Sequence, residues 1–215
     1  MVEISQQGAV WVLRADDGEN RFNRASIDAW HGALNEVEAT EGACALVTVG
    51  SGKYYSNGLD LDWMREADTT GFIEAVHRLF GRVLGLDVFT VAAVNGHAFA
   101  GGAMLACAHD RIVMRADRGY WCLPEVDLGL PLTPAMYATV AAHLPAATLA
   151  EAILTGRRYG GVDAVEAGIA AEAVAEAEVL DRAVAIATAM VDKDRTVLRA
   201  HKGLLYGEAL RTCGV

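Results

Sequence analysis

The chain has 215 residues, 53% of them hydrophobic, and its 28 acidic and 18 basic residues give a formal charge of −10. That balance excludes a general nucleic-acid binder, which needs a basic face, and obliges any anionic ligand to find local positive charge. The length suits one domain with a sizeable core, and no apolar stretch reaches the roughly 18 residues that cross a bilayer.

Val2 to Leu13 alternates imperfectly and predicts a hairpin around Gln7-Gly8. After the turn Asp16-Asp17-Gly18 comes Glu19 to Arg24, a surface loop leading to a helix with Ser26 as its N-cap. Ile27, Trp30, Leu34 and Val37 recur at helical spacing over Ser26 to Glu38. Cys44 to Val49 is an apolar, β-branched run, read as a buried parallel strand that ends at Gly50-Ser51-Gly52. Asp62 to Leu84 is helical in pattern and broken by Asp68-Thr69-Thr70-Gly71. His77 in that series reads as a core or interface histidine.

The centre of the chain runs from a short apolar strand, Phe89 to Val94, through the turn pair Asn95-Gly96, to Gly101-Gly102. Those glycines open an apolar helix, Ala103 to Cys107. Paired glycines at a helix start let a ligand oxygen approach backbone N–H groups with the helix dipole behind them. Strand-like pieces at Arg111 to Arg115 and Tyr120 to Leu123 then lead to Pro124-Glu125. A carboxylate at an apolar strand end is made basic by burial, which suits proton abstraction beside a carbonyl. Asp110 is expected to anchor the following strand, and Asp127 to share the face of Glu125 if the strand continues. Helices are predicted over Pro134 to Leu144, Ala147 to Leu154 and Val162 to Ala167, a strand over Ile169 to Val174, and helix from Glu178 onward.

Other chemistries lack their signatures. The six histidines are scattered, with no HExxH or His/Cys spacing, so no metal site is expected. There is no GxSxG elbow, no phosphate-binding P-loop and no GxGxxG after a strand. Cys44, Cys107, Cys122 and Cys213 form no CxxC pair and read as reduced, mostly buried thiols. The first residues lack the basic lead of a secretory signal and the last three match no peroxisomal signal, so the expected location is cytoplasmic.

Four segments resemble the crotonase (enoyl-CoA hydratase/isomerase) superfamily, in that family's order: GKYYSNGLDL from Gly52, NGHAFAGGAMLACAHD from Asn95, LPEVDLGL from Leu123 and LTGRRYGGVDAVEAGIAAEAV from Leu154. Glu19 to Asn23 and the run from Met114 look most like the monofunctional Δ3,Δ2-enoyl-CoA isomerases. The resemblance implies an α/β fold, a spiral of ββα units over residues 1–175, with C-terminal helices over 176–215 that are shorter than is usual in the family. It implies an acyl-CoA thioester as substrate, no cofactor beyond the CoA it carries, and a homotrimer or dimer of trimers; buried subunit interfaces would also account for the apolar excess. The implied roles are Glu125 as catalytic base, the N–H groups of Leu59 and Gly101 as oxyanion donors, and Arg21, Phe22, Asn57, Asp60, Trp63, Met104 and Trp121 as substrate contacts. Arg24 is a weaker candidate for the CoA adenine and ribose.

Hydratases of this superfamily use two glutamates, and the first falls at Met104 here. Methionine holds no proton and orients no water by a charged hydrogen bond. A double-bond shift needs only the second carboxylate, so isomerisation is the expected reaction. Another CoA-thioester enolate reaction, such as hydration or thioester hydrolysis, and a non-catalytic acyl-CoA-binding protein are the rivals.

Overall fold

The computed structural model describes residues 1–215. Val2–Gln7 (β1) and Val10–Ala15 (β2) form the expected antiparallel hairpin, turning at Gly8 with φ +63°. Arg24–Glu38 follows as α1. Three further turns of chain repeat the pattern. Ala45–Gly50 (β3) and Tyr54–Ser56 (β4) precede Leu61–Glu66 (α2) and Phe72–Gly85 (α3). Phe89–Val94 (β5) and His97–Phe99 (β6) precede Gly101–Cys107 (α4). Arg111–Arg115 (β7) and Trp121–Cys122 (β8) precede Glu125–Leu128 (α5).

In each later turn the first strand joins a large sheet and the second a small one. The large sheet has the order β1-β2-β3-β5-β7-β9, where β9 is Glu172–Val174, and it is parallel from β2 onward. The small sheet is β4-β6-β8, also parallel. This is the crotonase-type α/β spiral that the resemblance implies.

Burial of the large sheet on both faces explains the β-branched sequence of its strands; all six residues of β3 are buried. Successive side chains take opposite faces. Leu13, Leu46, Ala92, Val94, Ile112 and Met114 join a core of 42 residues with Ile27, Trp30, Leu79 and Phe80 of the helices. Val10, Val12, Val47, Val91 and Val113 face the other way, onto Val179, Ala183 and Ala187 of Val179–Thr188 (α9). The residues after 175 therefore share a core with the sheet. Arg195–Cys213 (α10) packs on α3 and on Pro134–Ala141 (α6), while Ala146–Thr155 (α7) and Gly161–Glu166 (α8) complete the helices.

Two local expectations need correction. Asn23, not Ser26, caps α1; its side chain accepts from the Ser26 N–H while the Ser26 hydroxyl accepts from the Asn23 N–H. Ser26 is thus the reciprocal member of a capping box. The strand after Tyr120 is only two residues long, because Pro124 (φ −83°, ψ 8°) turns the chain into α5. Glu125 consequently opens a helical turn, and Asp127 lies against Gly156 instead of sharing its face. All four cysteines are buried and free.

Asp110 anchors its strand as expected. One carboxylate oxygen accepts from Thr90 N (2.8 Å), Thr90 Oγ1 (3.1 Å) and Lys202 Nζ (2.8 Å). Lys202, 4% exposed, also donates to Val88 O. The pair ties α10 to the starts of β5 and β7. Removing one partner of a buried pair leaves an uncompensated charge, so Lys202→Ala should lower stability by about 3 kcal/mol in urea unfolding; a loss below about 1 kcal/mol would show that the pair is not what holds α10.

Candidate active site

The loop after β4 is shaped by its neighbours' backbone. Asn20, itself at φ +53°, donates its side-chain amide to Tyr54 O (2.9 Å) and Tyr55 O (3.3 Å). Ser56 Oγ donates to Asn20 O (2.7 Å) and accepts from Gly58 N (3.2 Å). Phe22 brackets the loop, its N–H donating to Gly58 O and its carbonyl accepting from Asp60 N. Gly58 sits at φ +76°, and a Cβ there would lie 2.8 Å from Gly101 N. Only glycine fits both the conformation and the approach. The amides of Leu59 and Gly101 are thereby brought together, and neither donates to any group of the protein.

Beneath them, a buried chain ties β3, β4 and α4. His109 Nδ1 donates to Leu105 O (2.8 Å), so its Nε2 accepts from Thr48 Oγ1 (2.9 Å), which in turn accepts from the Tyr55 hydroxyl (2.8 Å). Burial pushes His109 down to about 3, keeping it neutral. Gly102 packs closely enough that a Cβ would sit 2.2 Å from Ser56 O. Of the glycine pair, Gly101 supplies a free amide and Gly102 the close packing.

Both free amides line a cavity of about 520 Å³ with Glu125. Glu125 Oε2 is buried without a hydrogen-bond partner. Burial pushes the carboxyl up to about 7, opposed weakly by its own N–H. The surrounding wall is apolar, formed by Leu59, Leu61, Met64, Ile73, Met104 and Met136 among others. Cations stand at one side: Arg21 pairs with Glu19 (2.7 Å) and Asp62 (3.2 Å), and Arg65 with Asp62 (2.8 Å). Asn57 lines the same side and donates to Glu19 (2.8 Å).

Of the residues named from the sequence, Arg21, Asn57, Leu59, Gly101, Met104 and Glu125 meet at this cavity, and five do not. Phe22 is 1% exposed and packs its ring over Gly101 from the core side. Asp60 is spent as the N-cap of α2, accepting from Trp63 N. Trp63 stands edge-on to Phe72 with centroids 4.8 Å apart. Trp121 is fully buried, donates its indole N–H to Ala103 O (3.2 Å) and packs on Tyr159. Arg24 donates to Thr70 O (2.7 Å) and lies over the Phe72 ring, away from the cavity. His77 meets the Thr133 hydroxyl at 2.9 Å. The sequence reading missed Met136, Thr133 and Leu128 as wall residues; Leu128 lay inside a segment already singled out, whereas nothing local marks α6 as a neighbour of Glu125.

The family model for enoyl-CoA hydratase/isomerase matches residues 5–210. The chain belongs to the enoyl-CoA hydratase/isomerase family. It is 34% identical over 190 residues to the peroxisomal enoyl-CoA delta isomerase 2 of Arabidopsis thaliana, covering 83% of this chain and 79% of that one. It is equally 34% identical over 160 residues to carnitinyl-CoA dehydratase of Escherichia coli, covering 74% and 61%. An enoyl-CoA hydratase structure from Mycobacterium marinum superposes with a TM-score of 0.91 at 26% identity over 99% of this chain and 94% of that one. Family membership therefore spans both double-bond shifts and water chemistry, and the residues inside the cavity must discriminate.

Ala100, which caps α4, adopts φ 50° and ψ −122°, a region that costs a residue with a side chain about 1–3 kcal/mol. Ala100→Gly removes that strain at a smaller entropic cost in the unfolded chain. The variant should be more stable by about 1 kcal/mol in chemical denaturation; a destabilised variant would mean that the Ala100 methyl contributes more than its backbone loses.

Proposed function

We propose that this family member is a Δ3,Δ2-enoyl-CoA isomerase. The observation that carries the reading is one partnerless carboxylate oxygen, on Glu125, in an apolar cavity that also holds two partnerless amides. A 3-enoyl thioester binds with its carbonyl oxygen between the N–H groups of Leu59 and Gly101. Glu125 takes a proton from C2; the C–H electrons form C1=C2 and the carbonyl π electrons pass to the thioester oxygen, giving a dienolate that keeps C3=C4 until protonation at C4 shifts the double bond to C2=C3. The same carboxyl returns the proton at C4, giving the 2-enoyl thioester. Each oxyanion donor is worth about 3–4 kcal/mol of barrier by analogy with other such donors.

Water addition would need a second acid or base, and the wall offers Met104 there. Asp62, the other carboxylate at the cavity, is 73% exposed and engaged by Arg21 and Arg65. The mixed charges around Arg21 and Arg65 suit the polar end of a CoA thioester, while the methionines suit an acyl chain. No cofactor is required beyond the CoA of the substrate.

Conjugation of a 3-enoyl-CoA is followed spectrophotometrically. Glu125→Gln should abolish it while acyl-CoA binding persists; retained turnover rejects the base. Because the base must be ionised, kcat/KM should fall about tenfold per pH unit below about 7 and level off above it. Water addition to a 2-enoyl-CoA, without isomerisation, would favour hydratase chemistry, and tight binding with no turnover would favour a non-catalytic role.

We also propose that copies of the chain associate as a trimer or dimer of trimers. Leu154, Leu204 and Leu205 are 72%, 85% and 70% exposed, as apolar residues awaiting a partner surface would be. Light scattering should give a mass that is a multiple of three chains of 22.8 kDa; a single-chain mass rejects association.

A further inference from the structure

Leu59 and Gly101 lie just past the carboxyl ends of β4 and β6. At the opposite ends of those strands is a second cavity, about 270 Å³ in volume, with no hydrophobic residue in its wall. Its floor is locked backbone. His97 N donates to Lys53 O (3.0 Å), a Cβ on Gly96 would fall 2.1 Å from that same oxygen, and one on Gly119 would fall 2.8 Å from the Gly96 carbonyl carbon.

The side chains around this floor are Lys53, His97, Arg115, Arg118 and one carboxylate, Glu176. Arg115 is already matched, at 2.7 Å to both Asp117 and Glu176. Lys53 and Arg118 pair with no carboxylate and donate no side-chain hydrogen bond. The Lys53 ammonium rests 5.3 Å from the centre of the Tyr54 ring. The His97 ring is wedged among Tyr54, Phe99 and Tyr120, at centroid distances of 5.4, 4.9 and 5.7 Å, and its Nδ1 is buried without a partner.

Positive charge thus collects at one point of a chain whose total is −10. Burial first, then the cations Lys53, Arg118 and Arg158, hold His97 below its usual pKa. Like charges that line one cavity repel unless an anion lies between them. The volume falls short of the roughly 300–1,000 Å³ typical of drug-sized ligands, and an ammonium and a guanidinium fork lining one cavity match a small oxyanion carrying two charges.

We propose that this cavity binds a phosphate-class dianion, either free phosphate or the monoester end of a larger molecule. It is separate from the catalytic cavity and shares no lining residue with it.

Isothermal titration of the intact chain at constant ionic strength, with inorganic phosphate and then phenyl phosphate, tests the assignment. One saturable site is expected, weakened by about tenfold or more in Lys53→Ala/Arg118→Ala. Arg21→Ala/Arg65→Ala, at the catalytic cavity, should leave it unchanged. Tighter binding of phenyl phosphate identifies a monoester as the ligand, helped by the neighbouring aromatic rings; equal binding identifies free phosphate. Circular dichroism checks that the double variant is folded, and Lys53→Gln alone supplies a milder second variant with a smaller expected loss. No saturable binding up to about 10 mM, binding that survives in a folded double variant, or binding lost in the Arg21/Arg65 variant instead would overturn the proposal.

Discussion

Where the chain segment 56–59 meets 100–102, main chain touches main chain with no side chain between. Ser56 O faces the α-carbon of Gly102, and the α-carbon of Gly58 faces the amide of Gly101. This approach needs glycine at positions 58 and 102, and the N–H groups of Leu59 and Gly101 beside it have nothing in the protein to receive them. Unpaired amides are costly when buried. Here they are kept that way by packing on both sides: Phe22 above Gly101, and the Tyr55–Thr48–His109 chain behind β4 and α4. The rest of the spiral, with its doubly covered sheet, acts as the rigid frame for this one contact.

The carboxyl of Glu125, in the same cavity, obeys the same logic. Nothing neutralises it; no cation pairs with it and no neighbour donates to Oε2. Its basicity comes from being dry, and the apolar residues that make it dry are those an acyl chain would touch. Arg21, by contrast, is held by carboxylates near the cavity edge. At this cavity the charges separate by depth: Arg21 and Arg65 are paired at its edge, and one unpaired acid lies within.

Much of this was legible in the letters. The β-branched run at Cys44 to Val49 announced a strand covered on both faces, and the hairpin, the break at Asp68 to Gly71 and the glycine pair stood where the pattern put them. Legibility failed where the role of a side chain depends on what lies behind it. Phe22 and Trp121 neighbour the site in sequence, yet their rings point into the core, Phe22 bracing Gly101 and Trp121 bracing Ala103. Asp60 was claimed by a helix end. Met136 was invisible for the converse reason: α6 reaches the cavity only through tertiary packing, which no local spacing encodes. Asn23 displaced Ser26 because a capping box has two reciprocal members and the pattern alone favours either.

The orphaned acid has a thermodynamic cost beyond its chemistry. An unfolded chain would release the proton of residue 125 near 4.5, while the folded chain retains it to about 7. Over that interval the native state binds more protons than the unfolded one, so this group makes the fold less stable as the solution becomes more alkaline. A carboxylate paired with an arginine acts in the reverse sense. The protein therefore carries a standing tension between holding its shape and keeping this carboxyl dry and unpaired, and an occupant that shields the ionised form without protonating it would ease both.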